Sequence, residues 1–193
     1  MKNVQAGKAL ADRRIMDTKE QTYAVGDWVV HLIYGVGQVQ KLETKPIGGV
    51  DQLCYRVRTD DGTFWLPADN AAENERVRPV ASPNRIQRAL KALKKGPQKM
   101  AGNFQTRRKR IHEVTLDGDL STDMKLVRDL NARQFKKGLN ATEQDAFNTI
   151  TKRFLQEWSI SIGIETQEAR LKLEQFLRES REKGKQKQDA VAA

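Results

Sequence analysis

The stretch "VASPNRIQRALKALKKGP", residues 80–97, divides the chain. Ser82 followed by Pro83 reads as an N-cap and a first-turn proline, because Pro lacks the N–H that a first helical turn leaves unpaired anyway. Ile86, Ala89/Leu90 and Leu93 then recur at helical spacing, and Gly96-Pro97 stops the run.

Upstream the period is different. "DWVVHLI" (27–33), "VGQVQKLE" (36–43), "QLCYRVRT" (52–59) and "TFWLP" (63–67) are rich in Val, Leu and aromatics. In the third, Leu53, Tyr55 and Val57 alternate with Cys54, Arg56 and Arg58, as in a half-buried strand. Turn chemistry separates the runs: Gly35 and Gly37 at a sharp reversal, Gly48-Gly49 after Pro46, and an Asp-Gly hairpin at 61–62. Four or five short strands in so short a span predict a small, strongly bent sheet or barrel of the SH3/Tudor sort.

Downstream the pattern stays helical. Asn103 caps a helix that carries a basic run and ends at "LDGD". Asp119 or Ser121 opens a third, with Met124, Val127, Leu130 and Phe135 inward and Gly138 as its stop. Asn140 and Glu143 have capping-box spacing, opening a fourth, and Thr166 opens a fifth. These apolar stripes need one another, which predicts a bundle. The fold class is therefore α+β in two domains: a Tudor/SH3-like β-barrel over 21–81 and an all-α bundle of about five helices over 82–180. Polar, flexible ends are expected at 1–20 and 181–193.

The charge is +10 and unevenly placed. Between Arg76 and His112 there is no Asp or Glu, while twelve Lys and Arg fall there; +10 minus +12 leaves the rest of the chain at −2. A cationic segment on a faintly acidic body points to a polyanion partner. An anionic membrane fits less well than nucleic acid, because the basic helices lack a broad Trp/Leu face opposite the charge. No apolar run approaches the ~20 residues of a span, and the N-terminus lacks a signal-peptide core, so a cytoplasmic protein is expected.

Enzyme chemistry finds no residues. "YGVGQVQ" has Gln40 where a dinucleotide fingerprint needs its third glycine, and no Walker motif exists. His31 and His112 fall in different domains, the first packed at a strand end and the second exposed, so no catalytic pair or metal site is expected. Cys54, the only cysteine, reads as a packed side chain. "DGDLSTDMKLVR" (117–128) mimics a calcium loop but has Thr122 where Gly is required and Arg128 where the bidentate Glu belongs. No cofactor is expected.

Within "GNFQTRRKRIHE" (102–113), Phe104 lies three residues before Arg107, and Arg107 and Arg110 share its helical face while Arg108 and Lys109 flank it. Arginines so placed grip phosphates, and an aromatic tip stacks on an unpaired base or wedges a minor-groove step. Core burial of Phe104 is an equal reading from the residues alone.

The ordered elements Gly26-Asp27, Val29-Val30-His31, Gly35-Val36-Gly37, Glu43-Thr44, Ile47, Gly49 and Pro67-Ala68-Asp69-Asn70-Ala71 resemble the N-terminal module of the CarD/CdnL family of bacterial transcription regulators. "NFQTRRKR", "GDL" (118–120), "LVRDL" (126–130), "GLNATE" (138–143) and "EA" (168–169) resemble its second half, so that the likeness spans roughly 22–178. The resemblance implies a non-enzymatic, monomeric, nucleoid-associated factor whose Tudor-like module docks on the RNA polymerase β subunit. Its helical domain is then expected to hold promoter DNA at the upstream bubble edge, in the minor groove and largely without sequence preference, and so to stabilise the open complex. Phe104 falls where the family usually has a wedge Trp, and Arg107 and Lys109 on DNA-contacting positions. Lys45 falls where a basic residue faces polymerase. Trp65 stands where some members carry a polymerase-facing Arg. The competing reading is a polymerase-independent, nucleoid-type DNA binder.

Overall fold

The computed structural model describes residues 22–69 and 71–192. The expected extension 1–20 and Asn70 of the "PADNA" element lie outside them. Five strands come first: β1 (Trp28–His31), β2 (Gly35–Ile47), β3 (Val50–Thr59), β4 (Thr63–Pro67) and β5 (Val77–Pro79). They form one antiparallel sheet in the order β4-β3-β2-β1-β5. Five helices follow: α1 (Pro83–Leu93), α2 (Phe104–Asp117), α3 (Leu120–Lys137), α4 (Ala141–Ile162) and α5 (Thr166–Ala192). The chain is thus a Tudor-like β-domain followed by a helical domain.

The β2–β3 hairpin closes on Gly48-Gly49 with Ile47 opposite Val50, and both glycines have positive φ (61° and 84°), as a two-residue primed turn requires. The β3–β4 turn centres instead on Asp60-Asp61, since Arg58 faces Thr63 and the Thr59 N–H donates to the Gly62 carbonyl at 2.9 Å. Gly37 is not at a reversal. It sits inside β2 between Val29 and Thr59, where a Cβ would come within 2.7 Å of Val57 and 2.9 Å of the Arg58 carbonyl. The alternation of β3 is irregular: Cys54, Tyr55 and Val57 are buried and Leu53 only partly so, beside a register shift in β2 between Val39 and Lys41. Burial pushes the Cys54 thiol up, in keeping with a packed rather than reactive side chain.

Two hydrophobic clusters form. Tyr23, Val29, Val39, Tyr55, Val57 and Leu66 fill the sheet, and Ile86, Leu93, Met124, Leu126, Leu130 and Phe154 are among those filling the helical domain. Helix ends follow the expected chemistry. The Asn103 side chain accepts from the Gln105 and Thr106 N–H groups, and Asp119 accepts from Thr122 N–H. Asn140 and Glu143 make a reciprocal capping box. Ser82 occupies the N-cap of α1 without a side-chain cap bond. Two expectations need correction. Phe135 is 68% exposed rather than inward, with the Arg181 guanidinium 4.0 Å from its ring centre. The last helix also runs on to Ala192, held to the end of α1 by bonds from Ser180 Oγ to the Lys95 carbonyl (2.6 Å) and Lys183 Nζ to the Lys94 carbonyl (3.0 Å).

The two domains meet along α4. Arg153 donates to the Leu32 carbonyl (3.0 Å) and to Asp123 (2.7 Å), and both side chains are almost fully buried. Glu157 pairs with Arg78 and accepts from the Ala81 N–H at 2.7 Å. Lys152 reaches Asp61 at 2.7 Å, and Gln156 bonds Asp60. Gly118, at the C-terminus of α2, lets Leu32 approach: a Cβ there would lie 2.8 Å from Leu32 Cδ2.

Candidate polymerase and nucleic-acid interfaces

Alternation in β4 buries Phe64 and Leu66 and turns Trp65 outward, 40% exposed. Lys45 on β2 reaches across β3, its Nζ 4.5 Å from the centre of the Trp65 ring. The Trp65 indole N–H donates to Glu43 at 2.7 Å, and Lys41 closes on the same carboxylate at 2.6 Å. Lys41 and Trp65 together hold Glu43 below the usual glutamate range. The ring is therefore presented in one orientation rather than swinging free.

Trp65 and Lys45 border a groove of about 700 Å³ that also takes in Tyr34, Ile33, Ile47 and Phe64. Two of its lining rings stack, Tyr34 on Phe64 with centroids 5.2 Å apart, and His31 lies 4.4 Å from Tyr34. His31 Nδ1 accepts from the Ile33 and Tyr34 N–H groups at 3.0 and 3.2 Å, which shapes the β1–β2 turn. Burial, then the nearby Arg76, push its pKa down, so it stays a neutral acceptor. Ile33 and Tyr34 are 64% and 54% exposed, a large apolar presentation for a loop. The run 27–33 reads as strand, but β1 ends at His31 and leaves Ile33 beside Tyr34 in a three-residue turn, where periodicity marks nothing.

In the helical domain the basic run separates into two groups. Phe104 opens α2 and is 40% exposed, so it is not a core residue. Arg108, at i+4, and Lys109 are exposed; Lys109 has only a long contact to Glu113 at 3.8 Å. Arg107 turns inward and is 6% exposed. Its Nε donates to Glu143 at 2.5 Å, and its Nη1 to the carbonyls of Ala101 and Gly102 at 3.0 and 2.6 Å. Arg107 is spent inside the protein, its guanidinium 5.9 Å from the Phe104 ring, instead of lying open to a phosphate. Arg110 is half withdrawn, bonded to Asp129 at 2.6 Å.

The cause is the fully buried Glu143, which needs compensation where it sits. Burial alone would raise its pKa, but Arg107, the Asn140 N–H and Arg133 outweigh it and hold the carboxyl below the usual range. The capping box was visible in the sequence; that its carboxylate would also capture Arg107, 36 positions away, was not. Asp129 plays a parallel part, accepting from Arg110, Arg128 and the Gln98 N–H.

The molecule is thus a small β-domain with a Trp-flanked groove, joined to a helical domain that holds an exposed aromatic among cations. Family comparison agrees in both halves: residues 23–81 match the CarD-like/TRCF RID domain and residues 88–174 match the CarD C-terminal domain. The chain belongs to the CarD-like family of transcription regulators, whose members interact with RNA polymerase. Among the described residues no helix is long and apolar enough to cross a membrane, and no three His, Cys, Asp or Glu side chains gather as a metal site.

Proposed function

We propose that this protein is a non-enzymatic initiation factor that docks on the polymerase β subunit through the Lys45–Trp65 groove and stabilises the promoter open complex with Phe104. The single observation carrying this reading is the exposure of Phe104 at the head of α2, fixed by the Asn103 cap and by buried Arg107, with Arg108 and Lys109 open beside it. A large apolar ring held rigidly at a cationic surface suits insertion at a minor-groove step on the upstream edge of the bubble, with Arg108 and Lys109 on the phosphates. Arg107 enters as the support of the wedge, and Arg110 as a partly committed cation. The protein works as a monomer in the cytoplasm, associated with the nucleoid through polymerase. Docking raises the local concentration of a weak DNA binder, so sequence preference is not required.

The test uses the full chain with bacterial polymerase on a promoter template. Phe104→Ala should shorten the open-complex lifetime and leave polymerase affinity unchanged, whereas Lys45→Glu should lose polymerase and keep duplex affinity. An unaltered lifetime in Phe104→Ala defeats the wedge. Undiminished action of Lys45→Glu would favour a free, nucleoid-type binder.

A further inference from the structure

We propose that α1 and the turn that follows it carry a second phosphate-binding surface, formed by Arg88, Lys91 and Lys95, that holds the backbone of duplex DNA alongside the Phe104 contact; this rests on the DNA-binding reading of the helical domain. Arg88 and Lys91 stand at i and i+3 on one face of α1, and Lys95 follows in the turn, two residues past the last helical residue, Leu93. All three are exposed, while Ile86, Ala89 and Leu93 bury the opposite face.

What separates this surface from an ordinary solvated face is its lack of counter-charges. Other cations of the acid-free window are consumed within the protein, Arg78 by Glu157, Arg107 by Glu143 and Arg110 by Asp129. Arg88, Lys91 and Lys95 have no acidic partner among the described residues. Helix α5 of the same chain shows the solvated pattern, with Glu168 and Lys172 paired at 2.5 Å across one turn. On α1 no such pair can form, because no Asp or Glu lies between Arg76 and His112. Arg88 and Lys91, one turn apart, repel each other unless an external anion gathers them.

This surface is also tied to that of α2. Arg128 bonds the Ala92 carbonyl at 3.1 Å and Asp129 at 2.9 Å, and Asp129 in turn holds the Gln98 N–H and Arg110. The end of α1 and the basic helix are therefore joined through one carboxylate. No apolar or aromatic side chain interrupts the three cations. That suits phosphates read without sequence and argues against an acidic protein surface, since protein interfaces are depleted in lysine and built on aromatic anchors.

The test compares three full-length proteins binding a duplex of about 30 base pairs by fluorescence anisotropy, from about 50 to 200 mM salt. Arg88→Gln/Lys91→Gln/Lys95→Gln should reduce the slope of log K against log salt by about 2 to 3, from ~0.9 per phosphate lost. Its thermal melt should match the wild type, and polymerase should still co-elute with it. The single Lys91→Glu should move the slope in the same direction. Arg108→Gln/Lys109→Gln serves as the comparison at the wedge. A slope lowered only in the Arg108/Lys109 variant overturns the α1 surface alone. If neither variant lowers it, the DNA-binding reading falls with it. A triple variant that loses polymerase while keeping its salt slope overturns the proposal in favour of a protein partner.

Discussion

Replacing Arg107 with Met separates two accounts of the basic helix. As an open phosphate ligand, Arg107 would be dispensable to folding, and its loss would shift stability by no more than about 0.5 kcal/mol. It would also reduce the salt slope of DNA binding by ~0.9. As the buried partner of Glu143, it cannot be removed so cheaply. Met fills much of the space, but the Glu143 carboxylate is left fully buried with Arg133 at 3.2 Å and the Asn140 N–H at 3.1 Å as its remaining donors. The Ala101 and Gly102 carbonyls lose their donor as well. Breaking a buried pair on one side costs about 3–5 kcal/mol, and the surviving contacts place this case near the lower end, ~3 kcal/mol. With a urea m-value of ~2 kcal/mol/M, the unfolding midpoint should fall by about 1.5 M. Arg107→Met/Glu143→Gln should recover part of that loss, because no lone carboxylate remains. An unmoved midpoint together with a reduced salt slope would refute the buried-support account.

Three further outcomes are expected. Glu143 titrates below its ordinary value of 4.5, so its contribution is full above that value and is lost as pH falls through the depressed folded pKa; the urea-midpoint gap between wild type and Glu143→Gln should therefore narrow at acid pH. Gly37→Ala should lower the thermal midpoint, at a cost of about 1–3 kcal/mol, because its Cβ would meet the Val57 side chain at 2.7 Å and the Arg58 carbonyl at 2.9 Å. Phe104→Trp should lengthen the open-complex lifetime about 2- to 5-fold, as the larger ring adds ~0.5–1 kcal/mol of stacking.

How far this molecule is legible from its sequence depends on whether a feature is local. The switch at Ser82-Pro83, the Asn103 and Asp119 caps, the Asn140–Glu143 box and the Gly48-Gly49 turn each depend on residues within one turn of chain, and each appears where its chemistry puts it. β5 escaped notice because "VRP" is too short for any period and exists only through pairing with β1. Arg107 and Phe135 lie on sides that their own helices do not predict, for one reason. A helical face is inward or outward only relative to a partner, and the partners, Glu143 on α4 and Arg181 on α5, are 36 and 46 positions away. The acid-free window points to a polyanion partner, but it does not say which of its cations the protein itself uses.

Those partners give α4 a role that no motif announces. Its C-terminal half carries Lys152, Arg153, Gln156 and Glu157, at helical spacing on the side facing the β-domain. Its first turn carries Glu143, which fixes Arg107 beside Phe104. Ten residues separate Glu143 from Arg153, about 15 Å of continuous helix. One strut thus joins the sheet bearing the Lys45–Trp65 groove to the residue beside the aromatic. It reaches the β-domain through the ion pairs Lys152–Asp61 and Glu157–Arg78, while Arg153, bonded to the Leu32 carbonyl, also pairs with Asp123 of α3 almost fully buried. Burial pushes the Asp123 carboxyl up even against Arg153, so this pair is a costly element whose gain lies in geometry more than in stability. A flexible linker would dilute the second contact over every orientation it permits. Under the proposed function a rigid strut avoids that loss: docking of the groove would set the position of Phe104, and the ring would meet DNA without a further ordering cost.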